Sequence, residues 1–97
     1  MSTITDDEAF SEHLASILKA VAHPARLRIV AALSEGRTSV GDLALRLDLA
    51  QAIVSQQLRI LRSEGLVASE RSGGYALYSL ALPRLRDLLK CLEKCPR

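Results

Sequence analysis

No apolar run in this sequence approaches the roughly 20 residues needed to cross a bilayer, so a membrane-spanning helix is excluded. A secretory leader is not expected either: the N-terminal residues carry Asp6, Asp7 and Glu8 in place of a basic segment followed by an apolar one. The cytoplasm is therefore the expected compartment, with no membrane partner. Cysteine is scarce, and Cys91 and Cys95 stand together near the C-terminal end, unlike the dispersed framework of a secreted disulfide scaffold. Reduced thiols are the expectation. The chain also has no Cys-x-x-Cys, no nucleophile with a base and orienting group, and no phosphate-cradling loop, which argues against an enzyme. Repeats and low-complexity linkers are absent, and 97 residues suit one domain over 1–97, with about the first seven residues frayed.

What is present is ordinary globular material, 48% hydrophobic and 25% charged. A chain this short leaves much apolar surface uncovered, so its leucine-rich first and last segments are expected to be shared with a second copy in a homodimer. Charge is unevenly placed. Residues 1–20 hold Lys19 against Asp6, Asp7, Glu8 and Glu12, a net −3, whereas the remainder carries +5. That bias permits phosphate contact without requiring it.

The spacing predicts a first amphipathic helix over about Glu8 to Val21, capped by Asp6 or Asp7, with Phe10, Leu14, Ile17, Leu18 and Val21 at helical intervals. Pro24 forces a break at His23 and suits the first turn of a second helix to about Ser34, with Leu27, Ile29, Val30 and Leu33 inward and Arg26 and Arg28 outward or sideways. Thr38-Ser39 followed by Asp42 marks the start of a short third helix. After Asp48-Leu49-Ala50 a fourth runs from about Gln51 to Glu64, burying Ile53, Val54, Leu58 and Leu61. Leu66 to Arg71 and Tyr75 to Leu80 read as strands joined through Ser72-Gly73-Gly74. A last helix spans about Leu82 to Cys95, checked by Pro96. The fold expected is mainly α with a small β-hairpin, in the order α-α-α-α-β-β-α.

The third and fourth helices, over Thr38 to Gly65, form a helix-turn-helix. The fourth shows solvent Gln51, Ser55, Gln56, Gln57, Arg59 and Arg62, with no carboxylate before Glu64. Gln can pair with adenine N6 and N7 and Arg with guanine O6 and N7 in the major groove, and Ser55 suits a phosphate. Polar residues alone would merely solvate an amphipathic helix. A capped short helix, a tight turn, this polar helix and a glycine-tipped hairpin in sequence are what a winged helix-turn-helix requires.

Over nearly its whole length the chain resembles the ArsR/SmtB family of bacterial metal- and stress-responsive repressors. The resemblance rests on Leu18-Lys19-Ala20-Val21-Ala22-His23-Pro24-Ala25-Arg26-Leu27-Arg28-Ile29, on Val40-Gly41-Asp42-Leu43-Ala44, on Val54-Ser55-Gln56-Gln57-Leu58-Arg59-Ile60-Leu61, on Glu64-Gly65-Leu66-Val67, and on Tyr75 and Tyr78. It implies a homodimer, joined through first and last helices, that binds a near-palindromic duplex operator and represses by blocking polymerase. Recognition helices would enter successive major grooves and wings would lie over flanking minor grooves, with Ser39, Arg71 and Ser72 completing the DNA contacts. One departure stands inside the recognition helix: the family often has Ser-x-His-His-Leu or Ser-Gln-His-Leu where this chain has Ser55-Gln56-Gln57-Leu58, a change that bears on base preference.

Family members sense ligands at recurrent places, and two of those sites are missing. The Cys-x-Cys of the first motif helix is replaced by Ser39-Val40-Gly41, and the terminal helix has no histidine, so neither the lead and cadmium site nor the zinc site carries over. Cys91 and Cys95 remain, at i and i+4 on the terminal helix. Helical Cβ atoms at that spacing lie about 5 to 6 Å apart, too far for a disulfide, which needs about 3.5 to 4.5 Å. A bridging atom fits better: arsenite, another soft metal ion or added sulfur. His13 could add a ligand but is expected to face solvent, and His23 is expected to be structural. No cofactor is obligatory.

Three readings follow: a repressor released by a thiol-directed signal at Cys91 and Cys95; a winged-helix regulator whose cysteines are structural small hydrophobes and which answers to no metal; and a module for protein association.

Overall fold

The computed structural model describes residues 3–97. Of the stretch expected to fray, Met1 and Ser2 lie outside the described residues. Thr3 and Asp6 form a reciprocal pair ahead of the first helix: the Thr3 hydroxyl donates to Asp6 at 3.0 Å and accepts the Asp6 N–H at 3.2 Å. The elements are α1 (Glu8–Val21), α2 (Pro24–Leu33), α3 (Val40–Leu47), α4 (Gln51–Ser63), β1 (Val67–Ser72), β2 (Tyr75–Leu80) and α5 (Arg84–Glu93). This is the expected order of four helices, hairpin and helix.

Local chemistry sets the boundaries. Asp7 accepts the Phe10 N–H at 2.9 Å and starts α1. His23 is structural in a specific sense, since its Nδ1 accepts the Ala25 N–H at 3.2 Å and caps α2 ahead of Pro24. Ser39 caps α3 through the Asp42 N–H at 3.2 Å. The chain turns from α3 into α4 through Asp48, held at φ 55°. Aspartate is among the few non-glycine residues that tolerate this left-handed conformation. Gly73 and Gly74, both at positive φ, make a two-residue hairpin turn whose twist matches the strands. Ser72, expected in the turn, is the last residue of β1 and pairs with Tyr75.

The core gathers Ile29, Val30, Leu33, Leu43, Val54, Leu58, Leu61 and Leu66, all essentially without exposure. Two apolar residues expected inside are not: Leu27 is 40% exposed and Ile53 42%. Each lies away from the face its helix packs inward, so counting an apolar residue as core overrode the period. Arg26, half-buried, and Arg28, exposed, keep the outward or sideways placement expected of them, but both are partnered. Their guanidiniums donate to backbone carbonyls, Arg26 to Ala20 at 2.6 Å and Arg28 to Leu47 at 2.9 Å, stitching α2 to the ends of α1 and α3.

The hairpin has an addition that the sequence did not show. Thr38 and Tyr78 form an isolated antiparallel bridge, which ties the loop before α3 to β2. Leu66 and Ala81 close the other end, with the Ala81 N–H donating to the Leu66 carbonyl at 2.9 Å.

The last helix is shorter than expected. Pro83 disfavours a helical Leu82 and itself stands at the N-cap, so α5 begins at Arg84. Pro96 does the same to Cys95, and α5 stops at Glu93. Leu85 and Leu89 are buried, whereas Leu88 and Leu92 are exposed. With Leu14, Ile17 and Leu18 of α1, Leu82, Leu85 and Leu88 line an open apolar groove.

Candidate nucleic-acid interface

The N-terminus of α4 is held by the turn at Asp48 and by Ala50, which offers no capping side chain. Its first backbone N–H groups therefore lack a side-chain acceptor and remain available to an anion. Burial of Val54, Leu58 and Leu61 against α2 and α3 fixes the rotation of the helix. At about 100° per residue, Gln56 and Arg59 then fall opposite the core. Gln51, Ser55 and Arg62 occupy one flank, and Ile53, Gln57 and Ile60 the other.

The first flank runs into the hairpin. Arg62 shares a cleft with Ser69, Glu70, Arg71 and Tyr78. Glu70 is paired with Arg37, which offsets the carboxylate bordering the two guanidiniums. Arg71 reaches across the turn toward the Gly74 carbonyl at 3.5 Å, and Ser72 is exposed beside it. At the other end of α4, the Gln51 amide lies over Gly41, whose added Cβ would meet its Nε2 at 3.7 Å. Ser39 is half-buried and spends an oxygen lone pair on its cap, leaving the hydroxyl hydrogen free to donate. Ser39, Gln51, Ser55, Gln56, Arg59, Arg62, Arg71 and Ser72 thus border one polar surface across α3, α4 and the hairpin.

Gln57 is placed differently. It is half-buried on the α1 flank, and its Oε1 accepts from Arg26 Nη1 at 3.0 Å. Sequence reasoning missed this link, although Arg26 stood inside the string that carried the family resemblance.

Cys91 is exposed on the last turn of α5, and Cys95 is exposed beyond the helix, past its C-cap Lys94. The i, i+4 helical geometry expected for the pair is therefore not kept, because the chain departs from the helix between the two sulfurs. His13 is exposed. Among the described residues no group of three or more His, Cys, Asp or Glu is placed to hold a metal ion, and no helix is long and apolar enough to cross a membrane.

Residues 23–69, which contain α2 to α4 and the start of β1, match the family model described as bacterial regulatory protein, arsR family. The biofilm growth-associated repressor of Agrobacterium fabrum is 39% identical over 88% of this chain and 73% of its own length. The chain belongs to the ArsR/SmtB family. As an ArsR-type chain it is a DNA-binding transcriptional regulator, and its fold is the winged helix-turn-helix. The crystal structure of the transcriptional repressor BigR from Xylella fastidiosa superposes with a TM-score of 0.86 at 34% identity, covering 99% of this chain and all of that one. A homodimeric winged helix-turn-helix DNA-binding domain from Mycobacterium bovis, solved by NMR and titled a possible ArsR-family regulator, matches with a TM-score of 0.78 at 27% identity, covering 96% of this chain and 84% of that one. The regulators it resembles have a non-enzymatic role, and this ArsR-type chain is grouped with them.

Proposed function

We propose that the protein is a homodimeric repressor that acts in the cytoplasm on a near-palindromic duplex operator and is released by a thiol-directed signal. The observation that carries the DNA half is the outer arc of α4, where Gln51, Ser55, Gln56, Arg59 and Arg62 stand without a carboxylate and continue into Arg71 of the wing. Gln56 and Arg59 read bases, and Ser39, Ser55, Arg71 and Ser72 hold phosphates or the minor groove. The open apolar groove between α1 and α5 supports a dimer through these helices. The homodimeric state named for the Mycobacterium bovis domain supports a dimer as well, and the repressor names of the relatives support repression.

For the signal, Cys91 and Cys95 offer two exposed soft donors, with no third ligand grouped beside them among the described residues. That donor set fits a bridging soft ion such as arsenite, which condenses with two thiols and releases two waters, or a polysulfide, which oxidises the two thiols, inserts a sulfur chain between them and releases two hydrogen sulfides. Leaving the helix after Glu93 frees the two sulfurs from the helical separation. Mass spectrometry after separate exposure to arsenite, divalent metals and polysulfide, read beside release from DNA, tests this reading. One bridged adduct per chain accompanied by release is expected; release without any adduct at these cysteines would overturn it.

A further inference from the structure

Arg26 stands in the first turn of α2, where a cation opposes the helix dipole, so α2 itself gives no reason for an arginine here. Its partners give one. Nε donates at 2.6 Å to the Ala20 carbonyl, an orphan acceptor in the last turn of α1, and Nη1 donates at 3.0 Å to Gln57 on α4. One half-buried guanidinium thus joins three helices. A second link runs alongside, from the Ser16 hydroxyl of α1 to Glu64 at the end of α4 at 3.3 Å.

Gln57 is poorly placed to read adenine. Bidentate pairing needs a glutamine to accept from N6 and donate to N7, and its oxygen is engaged by Arg26 on the flank turned away from Ser55 and Arg62. We propose that Arg26 is a positioning residue and Gln57 its anchor on the recognition helix, so that the angle at which α4 meets DNA follows the end of α1. This rests on the DNA-binding reading above and deepens it, since α1 borders the proposed dimer groove. A shift of one arm against the other then reaches α4 through a polar strut.

The test compares Gln57→Ala, Gln57→Glu and Arg26→Ala with the unmodified protein, using a duplex that the unmodified protein selects from a randomised pool. Gln57→Ala is expected to bind about tenfold more weakly, the lower end for one hydrogen bond to a charged group, while keeping the base preference at every position. Gln57→Glu keeps an acceptor for Arg26 and should recover most of that loss, and Gln57→Ala should cost nothing further in the Arg26→Ala background. Relaxed preference at one position per half-site, or a Gln57→Glu weaker than Gln57→Ala, would show that Gln57 faces DNA and overturn the strut. If the unmodified protein selects no duplex, the DNA reading fails, and the strut is judged by amide hydrogen exchange along α4. Faster exchange in Gln57→Ala and recovery in Gln57→Glu support it; no change in either contradicts it.

Discussion

Thr38 and Tyr78 exchange two backbone hydrogen bonds, Thr38 N–H to the Tyr78 carbonyl at 3.0 Å and Tyr78 N–H to the Thr38 carbonyl at 2.7 Å. An isolated two-stranded hairpin is marginal in water, and this bridge adds a third, one-residue strand beside β2. It also places Ser39, the next residue, beside the wing, where Ser39 and Tyr75 line a common cleft. Thr38→Pro removes one donor and leaves the Tyr78 carbonyl short of a partner. Destabilisation of about 1 to 3 kcal/mol is expected, with faster hydrogen exchange confined first to β1 and β2.

Ala50 sits in an extended conformation at the N-cap of α4 without making a cap. Ala50→Asp should stabilise the fold by about 1 kcal/mol in chemical denaturation. The same carboxylate would occupy the N–H groups proposed to face DNA and repel phosphate, so duplex binding should weaken. Stabilisation with binding unchanged would show that this helix end does not approach the duplex.

Leu61 is fully buried beneath α4. Leu61→Ala is expected to lose about 2 to 5 kcal/mol, measured by urea unfolding, because it opens a cavity where α4 meets the core. Arg59→Ala, on the opposite face, should leave stability within about 0.5 kcal/mol.

Most of the fold was legible in the sequence because its signals are local. Asp7 and Ser39 cap helices, Pro24 breaks one, and the paired glycines turn a hairpin, each through groups within a few residues. The misreadings share a cause too. Leu27 and Ile53 suit the core by chemical type, whereas exposure depends on which side neighbouring elements cover. The Thr38 bridge, the Arg26 strut and the Arg28 link to Leu47 join residues far apart in sequence, and no local pattern announces them. Gln57 suits adenine by its type, and its rotation on α4, set by Val54, Leu58 and Leu61, also places it against Arg26. For the cysteines, the effect of Pro96 on Cys95 was a local signal, but the regular spacing from Cys91 outweighed it.

Replacing Cys91 and Cys95 together by Ser should leave duplex affinity unaltered and abolish release by arsenite and by polysulfide, followed by fluorescence anisotropy. Both residues are exposed in the chain, so the substitution opens no cavity. Release that persists in the double variant would move the sensor elsewhere.

A salt titration of the unmodified protein beside Arg59→Ala tests most directly whether the outer arc of α4 binds duplex DNA. Binding should weaken linearly in log–log form as salt rises, and Arg59→Ala should lose about 1 to 3 kcal/mol at any one salt concentration. Retention on DNA that Arg59→Ala leaves unchanged, or no salt-sensitive binding by the unmodified protein, would contradict the account.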